Sequence, residues 1–332
     1  MLGSDFQPLC LSKDVRRQPL AATVAQEQFV AYRGEDDVVT ALVDRCPHRG
    51  MQLSRGTVRH GILTCPYHGW RFDSLGCGAS PGNPKLKPRV ERLETREAAG
   101  VVWIRRAADG PAYLPNLEID GYGLIHRAFH EIDAPLTIVL DNFTEIEHTG
   151  TGHWEFGFDI ARLPEVTFDV EIGEGRATAT AKGSQKRLSA LSRWALGVAS
   201  GDTLTIRIET SYSPLHVTYE WGWHDPLTGR EKGPRFKEVA FFVDLGPRRT
   251  RLVAFYFWNM NSNGRLGLNR LVRRGAAGVI RYEIGLDIEL CQNVVPGSET
   301  LKMCHLSRFD ALLHGHRRNL QSLSPDSLHV AT

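Results

Sequence analysis

Apolar positions in the first third of the chain come in short runs separated by turn formers. Gln28-Phe29-Val30-Ala31-Tyr32 and Val38-Val39-Thr40-Ala41-Leu42-Val43 are two such runs. Gly34-Glu35-Asp36-Asp37 between them has the composition of a hairpin turn. Gly61-Ile62-Leu63-Thr64 and Val101-Val102-Trp103-Ile104 predict further strands. The pattern is that of a small all-β domain that presents functional loops from a rigid scaffold. It gives way at Asp109-Gly110-Pro111-Ala112-Tyr113-Leu114-Pro115, a stretch rich in turn formers. Two domains are therefore expected, residues 1–115 and 116–332.

The second region mixes periods. His130-Glu131-Ile132-Asp133 has the look of a strand end. Residues 136–148 predict a helix, with Ile138, Val139, Phe143 and Ile146 as its apolar positions, and Thr149-Gly150-Thr151-Gly152 breaks it. Residues 165–186 alternate as strands do, around a turn at Gly173-Glu174-Gly175. A short helix over 188–198 is expected to be a surface-packed connection rather than a lid. Strands follow at 203–210, 216–223, 239–243 and 252–259, then a long helix over 268–293 with apolar spacing at Leu268, Leu271, Val272, Val279 and Ile280. In the last strand, alternation sends Phe255, Phe257 and Asn259 to one face, which either lines a pocket or packs in the core. The final dozen residues read as a loose tail. The fold class is α+β.

Composition narrows the classes of function. The 332 residues are 42% hydrophobic and 23% charged, enough for packed cores in two ordinary domains. A net charge of +2, with acids and bases mixed along the chain, gives no support for nucleic-acid binding. No uninterrupted apolar run approaches 18 residues, so no membrane span is expected. Met1-Leu2-Gly3-Ser4-Asp5 lacks a basic region followed by an apolar block, so no secretory signal is read. A cytoplasmic location is expected, with Cys10, Cys77, Cys291 and Cys304 as free, buried thiols in a reducing compartment.

The chemistry starts at Cys46-Pro47-His48-Arg49-Gly50 and Cys65-Pro66-Tyr67-His68-Gly69-Trp70, a C-x-H and a C-x-x-H separated by sixteen residues. Each loop supplies one thiolate and one imidazole. Two Cys on one iron and two His on the other suit a [2Fe-2S] cluster with unlike irons. Replacing two thiolates by neutral imidazoles raises the potential from about −400 mV to roughly −150 to +300 mV. The competing reading is a structural zinc site, because Cys2His2 is also a zinc set. A second candidate constellation is His148 and His153, five apart and separated by the glycine-containing break. Neighbours on a helix face are three or four apart, so the break must turn the backbone for the two rings to converge. With one carboxylate they make a 2-His-1-carboxylate set for non-haem Fe(II) with open positions for O2. No strand–GxGxxG–helix fingerprint for a dinucleotide is evident.

The two cysteine-histidine loops resemble the Rieske [2Fe-2S] motif. Asp141-Asn142-Phe143-Thr144-Glu145-Ile146-Glu147-His148 through His153 resembles the D-N-x-x-D-x-x-H-x-x-x-x-H segment of Rieske non-haem iron oxygenases, and the likeness runs in order along essentially the whole chain. The resemblance implies an N-terminal all-β Rieske domain followed by an α+β catalytic domain with an antiparallel sheet and helices, of helix-grip (START-like) type. It implies Cys46, His48, Cys65 and His68 as cluster ligands and His148 and His153 as ligands of a mononuclear iron. The third ligand in the family is an Asp on the C-terminal helix; Asp287-Ile288-Glu289-Leu290 fits, and Glu283, one turn earlier on the same face, competes. Respiratory-chain Rieske proteins carry a third Cys in each loop, forming a disulfide; Met51 and Tyr67 lie near those positions here, which points to the oxygenase and ferredoxin type. Where the family usually has an Asp bridging a cluster His of one subunit to an iron-ligand His of its neighbour, this chain has Glu145, which keeps the carboxylate and adds a methylene.

By the same resemblance the chain is expected to be the α subunit of a terminal oxygenase and a homotrimer. NAD(P)H would supply electrons through a separate reductase or ferredoxin. The expected reaction is hydroxylation or oxidative demethylation of a small, ring-containing substrate with O2, after the α-only monooxygenase and demethylase branch. Ring cis-dihydroxylation is the alternative, followed by a non-catalytic Rieske electron carrier with a ligand-binding domain.

Overall fold

The computed structural model describes residues 2, 5–107, 113–114, 116–259, 269–302 and 304–323, the side chains of 269–272 and 323 excepted. Most of the predicted linker, including residue 115 where the domain boundary was expected, lies outside these residues, as do position 268 and the tail beyond 323. The chain divides into two units. One comprises Met1–Leu117 with Val243–Gly246, and the other Glu118–Phe242 with Pro247–Thr332.

The first unit is built of strands β1 (Gln7–Leu11), β2 (Leu20–Val24), β3 (Glu27–Arg33), β4 (Val39–Val43), β5 (Thr57–Arg59), β6 (Ile62–Thr64), β7 (Arg71–Phe72), β8 (Gly78–Ala79), β9 (Arg92–Ala98) and β10 (Val101–Arg105). They form a six-stranded sheet, in the order β1-β10-β9-β4-β3-β2, and a four-stranded sheet β5-β6-β7-β8. The apolar runs became strands because their β-branched and aromatic side chains fill two cores. Leu9, Phe29, Ala41, Leu93 and Val102 belong to one. Val30, Tyr32, Leu42, Leu63 and Phe72 form the other, which also holds Cys46 and Cys65. The two cysteines are thus fixed by the packing of the scaffold. Of the four remaining cysteines, Cys10 and Cys291 are buried as expected, whereas Cys77 is half-buried and Cys304 exposed.

The second unit is a seven-stranded sheet in the order β11-β17-β16-β15-β14-β13-β12. Its strands are β11 (Tyr122–Ile132), β12 (Thr167–Ile172), β13 (Arg176–Ser184), β14 (Thr203–Tyr212), β15 (Leu215–His224), β16 (Glu231–Gly246) and β17 (Arg249–Asn259). Helices α1 (Leu136–Asn142), α2 (Ala190–Leu196), α3 (Asn269–Asn293) and α4 (Leu313–Leu323) complete it. Side chains from α1 and α3 join one core with the inward positions of the strands: Ala177, Ala179 and Ala181 on β13, and Val217, Tyr219 and Trp223 on β15. Buried positions on α3 recur at Ile280, Glu283, Ile284, Asp287 and Cys291, one stripe of a helix whose other face is solvated. This antiparallel sheet gripped by a long helix is the α+β arrangement expected.

One prediction is corrected, and on β17 the core-packing alternative holds for Phe255 and Phe257. Helix α1 stops at Asn142 instead of reaching 148. Side chains compete with its backbone: Thr144 Oγ1 donates to the Leu140 carbonyl at 2.8 Å, and Glu145 Oε2 accepts from the Glu147 and His148 N–H groups at 2.6 and 3.2 Å. The chain restarts as a 3-10 turn over Glu147–Gly150. On β17, Tyr256, not the Phe255 face, turns toward a cavity beneath α3. Ala254, Tyr256 and Trp258 point the same way into the core.

Candidate functional site: two metal centres

The two cysteine loops have the same backbone design. Cys46 N–H donates to the Met51 carbonyl at 2.8 Å and Gly50 N–H to the Cys46 carbonyl at 2.9 Å. In the second loop Cys65 N–H donates to Trp70 at 2.8 Å and Gly69 N–H to Cys65 at 3.1 Å. Each is a six-residue loop closed at both ends, with Pro second and Gly fifth. Gly50 and Gly69 sit at φ +72° and +68°, a region that costs other residues steric strain. The repeated loop delivers a matched pair of ligands. The thiols of Cys46 and Cys65 are buried and side by side, and burial, the largest influence, pushes Cys46 up as a thiol. His48 and His68 are exposed, with ring centroids 4.5 Å apart, and His48 stacks on Trp70 at 4.6 Å. Desolvation, then the neighbouring His48 and Arg49, lower His68, favouring the neutral ring that binds metal. Buried sulfur and exposed imidazole on one tip suit a cluster that exchanges electrons at its histidine edge.

The second centre lies between the α1–β12 connection and α3. His153 Nε2 and Asp287 Oδ1 are 2.9 Å apart, His148 Nε2 and Asp287 Oδ1 3.2 Å, and the two imidazole Nε2 atoms 3.3 Å. Around an ion with bonds of about 2.1 Å, adjacent octahedral corners lie about 3.0 Å apart, so the three atoms fit one triangular face. An ion held there would have further positions for other ligands, as in the 2-His-1-carboxylate set of non-haem iron. Glu283, the competing carboxylate, is not part of this face. Its two oxygens accept from the backbone N–H groups of Trp154 and Glu155 at 2.9 and 2.7 Å. It fastens to α3 the loop that carries His153. Glu289 is exposed.

Each donor is itself held. Glu145 Oε1 pairs with His148 Nδ1, which leaves Nε2 to face the centre. Asn142 Nδ2 donates to Asp287 Oδ1 at 3.0 Å. Lys186 Nζ donates to the carbonyls of Thr149 and His153, 2.8 Å for the first, and so bridges the loop between the two histidines. Gly157, at φ +136°, brings its backbone against Thr149, where a Cβ would stand 2.5 Å from the Thr149 oxygen. Burial works against charge on His148, but hydrogen bonds to Asp287 and then Glu145 outweigh it and raise the metal-free imidazole to about 10. Burial likewise opposes ionisation of Asp287, and His148 and His153 overcome it, holding the carboxyl well below its usual range.

The centre opens onto a cavity of about 130 Å³ between the sheet and α3. Its sheet wall is laid down by strand register: Ile208 is opposite Tyr219, Ile206 opposite Trp221, and Tyr219 opposite Glu238. Tyr256 O–H donates to Glu238 Oε1 at 2.7 Å. Burial pushes Glu238 up to about 8, against the lowering effect of that bond. The sequence reading overlooked Glu238, Asn142 and Lys186. Asn142 had a signal in its place beside Asp141 in the iron-binding segment; the other two are brought in by tertiary structure.

Residues 5–97 match the Rieske [2Fe-2S] domain, and the chain carries a [2Fe-2S] domain of that kind. The chain is 32% identical over 157 residues to chlorophyllide a oxygenase of Arabidopsis thaliana, a match covering 46% of this chain and 29% of that one. It is 26% identical over 318 residues to the vanillate O-demethylase oxygenase subunit of a Pseudomonas species, 89% of this chain and 88% of the relative. The crystal structure of dicamba monooxygenase bound to dicamba superposes with a TM-score of 0.77 at 18% identity, covering 98% of each chain. The chain therefore spans less than a third of the first curated relative, while the whole fold is shared with dicamba monooxygenase. The resemblance read from the sequence is borne out: this is a Rieske-domain protein related to Rieske oxygenase α subunits. Among the described residues no helix is long and apolar enough to cross a membrane.

Proposed function

We propose that the chain is the oxygenase component of a multicomponent Rieske oxygenase. The observation that carries this is the convergence of His148, His153 and Asp287 on one face that opens into a buried cavity, in a chain that also holds a Rieske domain. Cys46, His48, Cys65 and His68 hold the cluster, and His148, His153 and Asp287 hold a mononuclear Fe(II). When bound, the cluster supplies electrons one at a time and the iron supplies the O2 chemistry. The chain's own residues do the rest. Glu145 and Asn142 fix the His148 ring and the Asp287 carboxylate, as partners behind metal ligands do. Glu283 and Lys186 keep the His153 loop in place, and the apolar wall of Ile206, Ile208, Ile280 and Ile284 excludes water from the substrate.

The reaction is hydroxylation or oxidative demethylation of a small ring compound, in line with the vanillate O-demethylase relative. Electrons come from NAD(P)H through a separate reductase or ferredoxin. The assembly is a cytoplasmic homotrimer in which Glu145 extends from His148 toward His68 of a neighbouring copy, the role the resemblance gives to this position. The test is substrate-dependent O2 uptake by the iron-loaded protein with a surrogate reductase, across methylated aromatics, heterocycles and aromatic acids. Uptake coupled to a hydroxylated or demethylated product, and lost in His153→Ala, is the expected result. A preparation with both metal centres filled that consumes no O2 with any of them would contradict it.

A further inference from the structure

The cavity beside the metal face has an unusual balance of charge and hydrogen-bonding groups. Four carboxyl groups line it, Glu145, Glu238, Glu283 and Asp287, and among the described residues no lysine or arginine does. Three of these carboxyls are committed: Glu145 to His148, Asp287 to the two histidines, and Glu283 to backbone N–H groups. Lys186, placed behind the histidine loop, is bound to two carbonyls and lies outside the lining. An anionic substrate would thus find no lysine or arginine counter-ion among the described lining residues.

Two further polar atoms of the lining residues have no partner in the protein. Tyr219 Oη and Trp221 Nε1 are buried and have no hydrogen-bond partner. Both belong to the inward face of β15, and Glu238 stands directly across from Tyr219 on β16. Buried donors without partners are rare in native proteins, and a ligand is one reason for them to persist. Tyr256 donates to Oε1 of Glu238, and burial favours the protonated form of this carboxyl, which leaves Oε2 as its second hydrogen-bonding atom. One wall thus carries a phenol, an indole N–H and a protonatable carboxyl on two adjacent strands. Rings of Phe156, Trp221 and Tyr256 supply flat apolar surface around them.

From the cavity's lining we infer that its substrate is an uncharged ring compound bearing a carbonyl- or amide-type acceptor oxygen that meets Tyr219, Trp221 and Glu238, and not an aromatic carboxylate. This rests on the reading of the cavity as the substrate site and adds its chemical selectivity. A neutral acceptor satisfies the idle donors and leaves no charge uncompensated. A carboxylate forfeits solvation without a lysine or arginine counter-ion in the wall, and a cation offers no acceptor to Tyr219 and Trp221.

The experiment is equilibrium binding to the iron-loaded full chain with trios that share a ring and differ in whether it bears an anionic, neutral or cationic group. Vanillate, vanillamide and vanillylamine form one trio; the carboxylate, carboxamide and aminomethyl forms of naphthalene and of indole form two more. Calorimetry reads binding without turnover, so it is independent of whether the oxygenase reading holds. The amide should bind at least about 10-fold more tightly than its carboxylate in the trio that fits. Tyr219→Phe should weaken that amide by about 5-fold, the net worth of one hydrogen bond, without lowering the melting temperature, because the hydroxyl has no partner in the protein to lose. Tighter binding of a carboxylate or an amine, binding of no member of any trio, or an unchanged amide affinity in Tyr219→Phe would each overturn the inference. Substrate-dependent O2 uptake with a carboxylate would overturn it while leaving the oxygenase reading intact.

Discussion

At the scale of single residues, the roles of Asp287 and Glu283 separate by what each touches. Both sit on one face of α3, a turn apart, which is why spacing alone left them in competition. The structure gives Asp287 to the histidines and Glu283 to the backbone of the loop. Glu283→Gln should leave the ligand set intact and retain iron at saturating metal. It should still destabilise the protein by about 1–3 kcal/mol, because one of the two N–H groups that Glu283 holds, that of Glu155 in a buried bond, then faces an amide donor. Denaturant midpoints and iron content measured on the same preparation check both halves. The candidate cysteine and histidine ligands, by contrast, could be proposed from the sequence, because residue type and spacing are local properties of the loops. A pH dependence follows from His148. In the metal-free protein its folded value of about 10 lies above the ordinary 6.5, so pairing with Asp287 and Glu145 stabilises the fold fully below about pH 6.5. That contribution is lost as pH rises toward 10. Iron needs the same ring neutral and competes with the proton, so iron affinity should rise about 10-fold per pH unit between 7 and 9 for one proton displaced. Anaerobic metal titrations in weakly buffered solution would show that proton released, and a pH-independent affinity would contradict the assignment.

At the scale of elements, the strands were legible where alternation was clean and invisible where it was not. Strand β16 runs over Glu231–Gly246, but its first half, Glu231-Lys232-Gly233-Pro234-Arg235-Phe236-Lys237-Glu238, is too polar to announce a strand. Glu238 was lost with it, since its inward direction is set by pairing with Tyr219 on β15. The early end of α1 was hidden for a related reason. Apolar spacing continues to Ile146, while the side chains of Thr144 and Glu145 take over the backbone's hydrogen bonds. The segment after α1 depends on close approach at Gly157. Gly157→Ala should cost about 2 kcal/mol from strain at positive φ and the clash with Thr149. It should also displace the loop that bears His153, seen as a lowered melting temperature with weaker iron retention and an unchanged cluster spectrum.

At the scale of the whole molecule, the order of the parts could be read from the sequence, and the fold class followed from that order. The cluster loops come first, the histidine segment next, then the strands and the long helix. What could not be read was the cavity, because its wall is assembled from four strands, α3 and the end of α1 with the connection that follows it. The central claim is that one chain carries two separate iron centres, and iron and acid-labile sulfide counted per chain in wild type and in Asp287→Ala test it most directly. The account predicts the iron of a [2Fe-2S] cluster plus one further iron in the wild type, and loss of that further iron alone in the variant, with sulfide and the cluster's visible spectrum unchanged. Equal iron in the two proteins, or zinc in place of iron and sulfide, would contradict it.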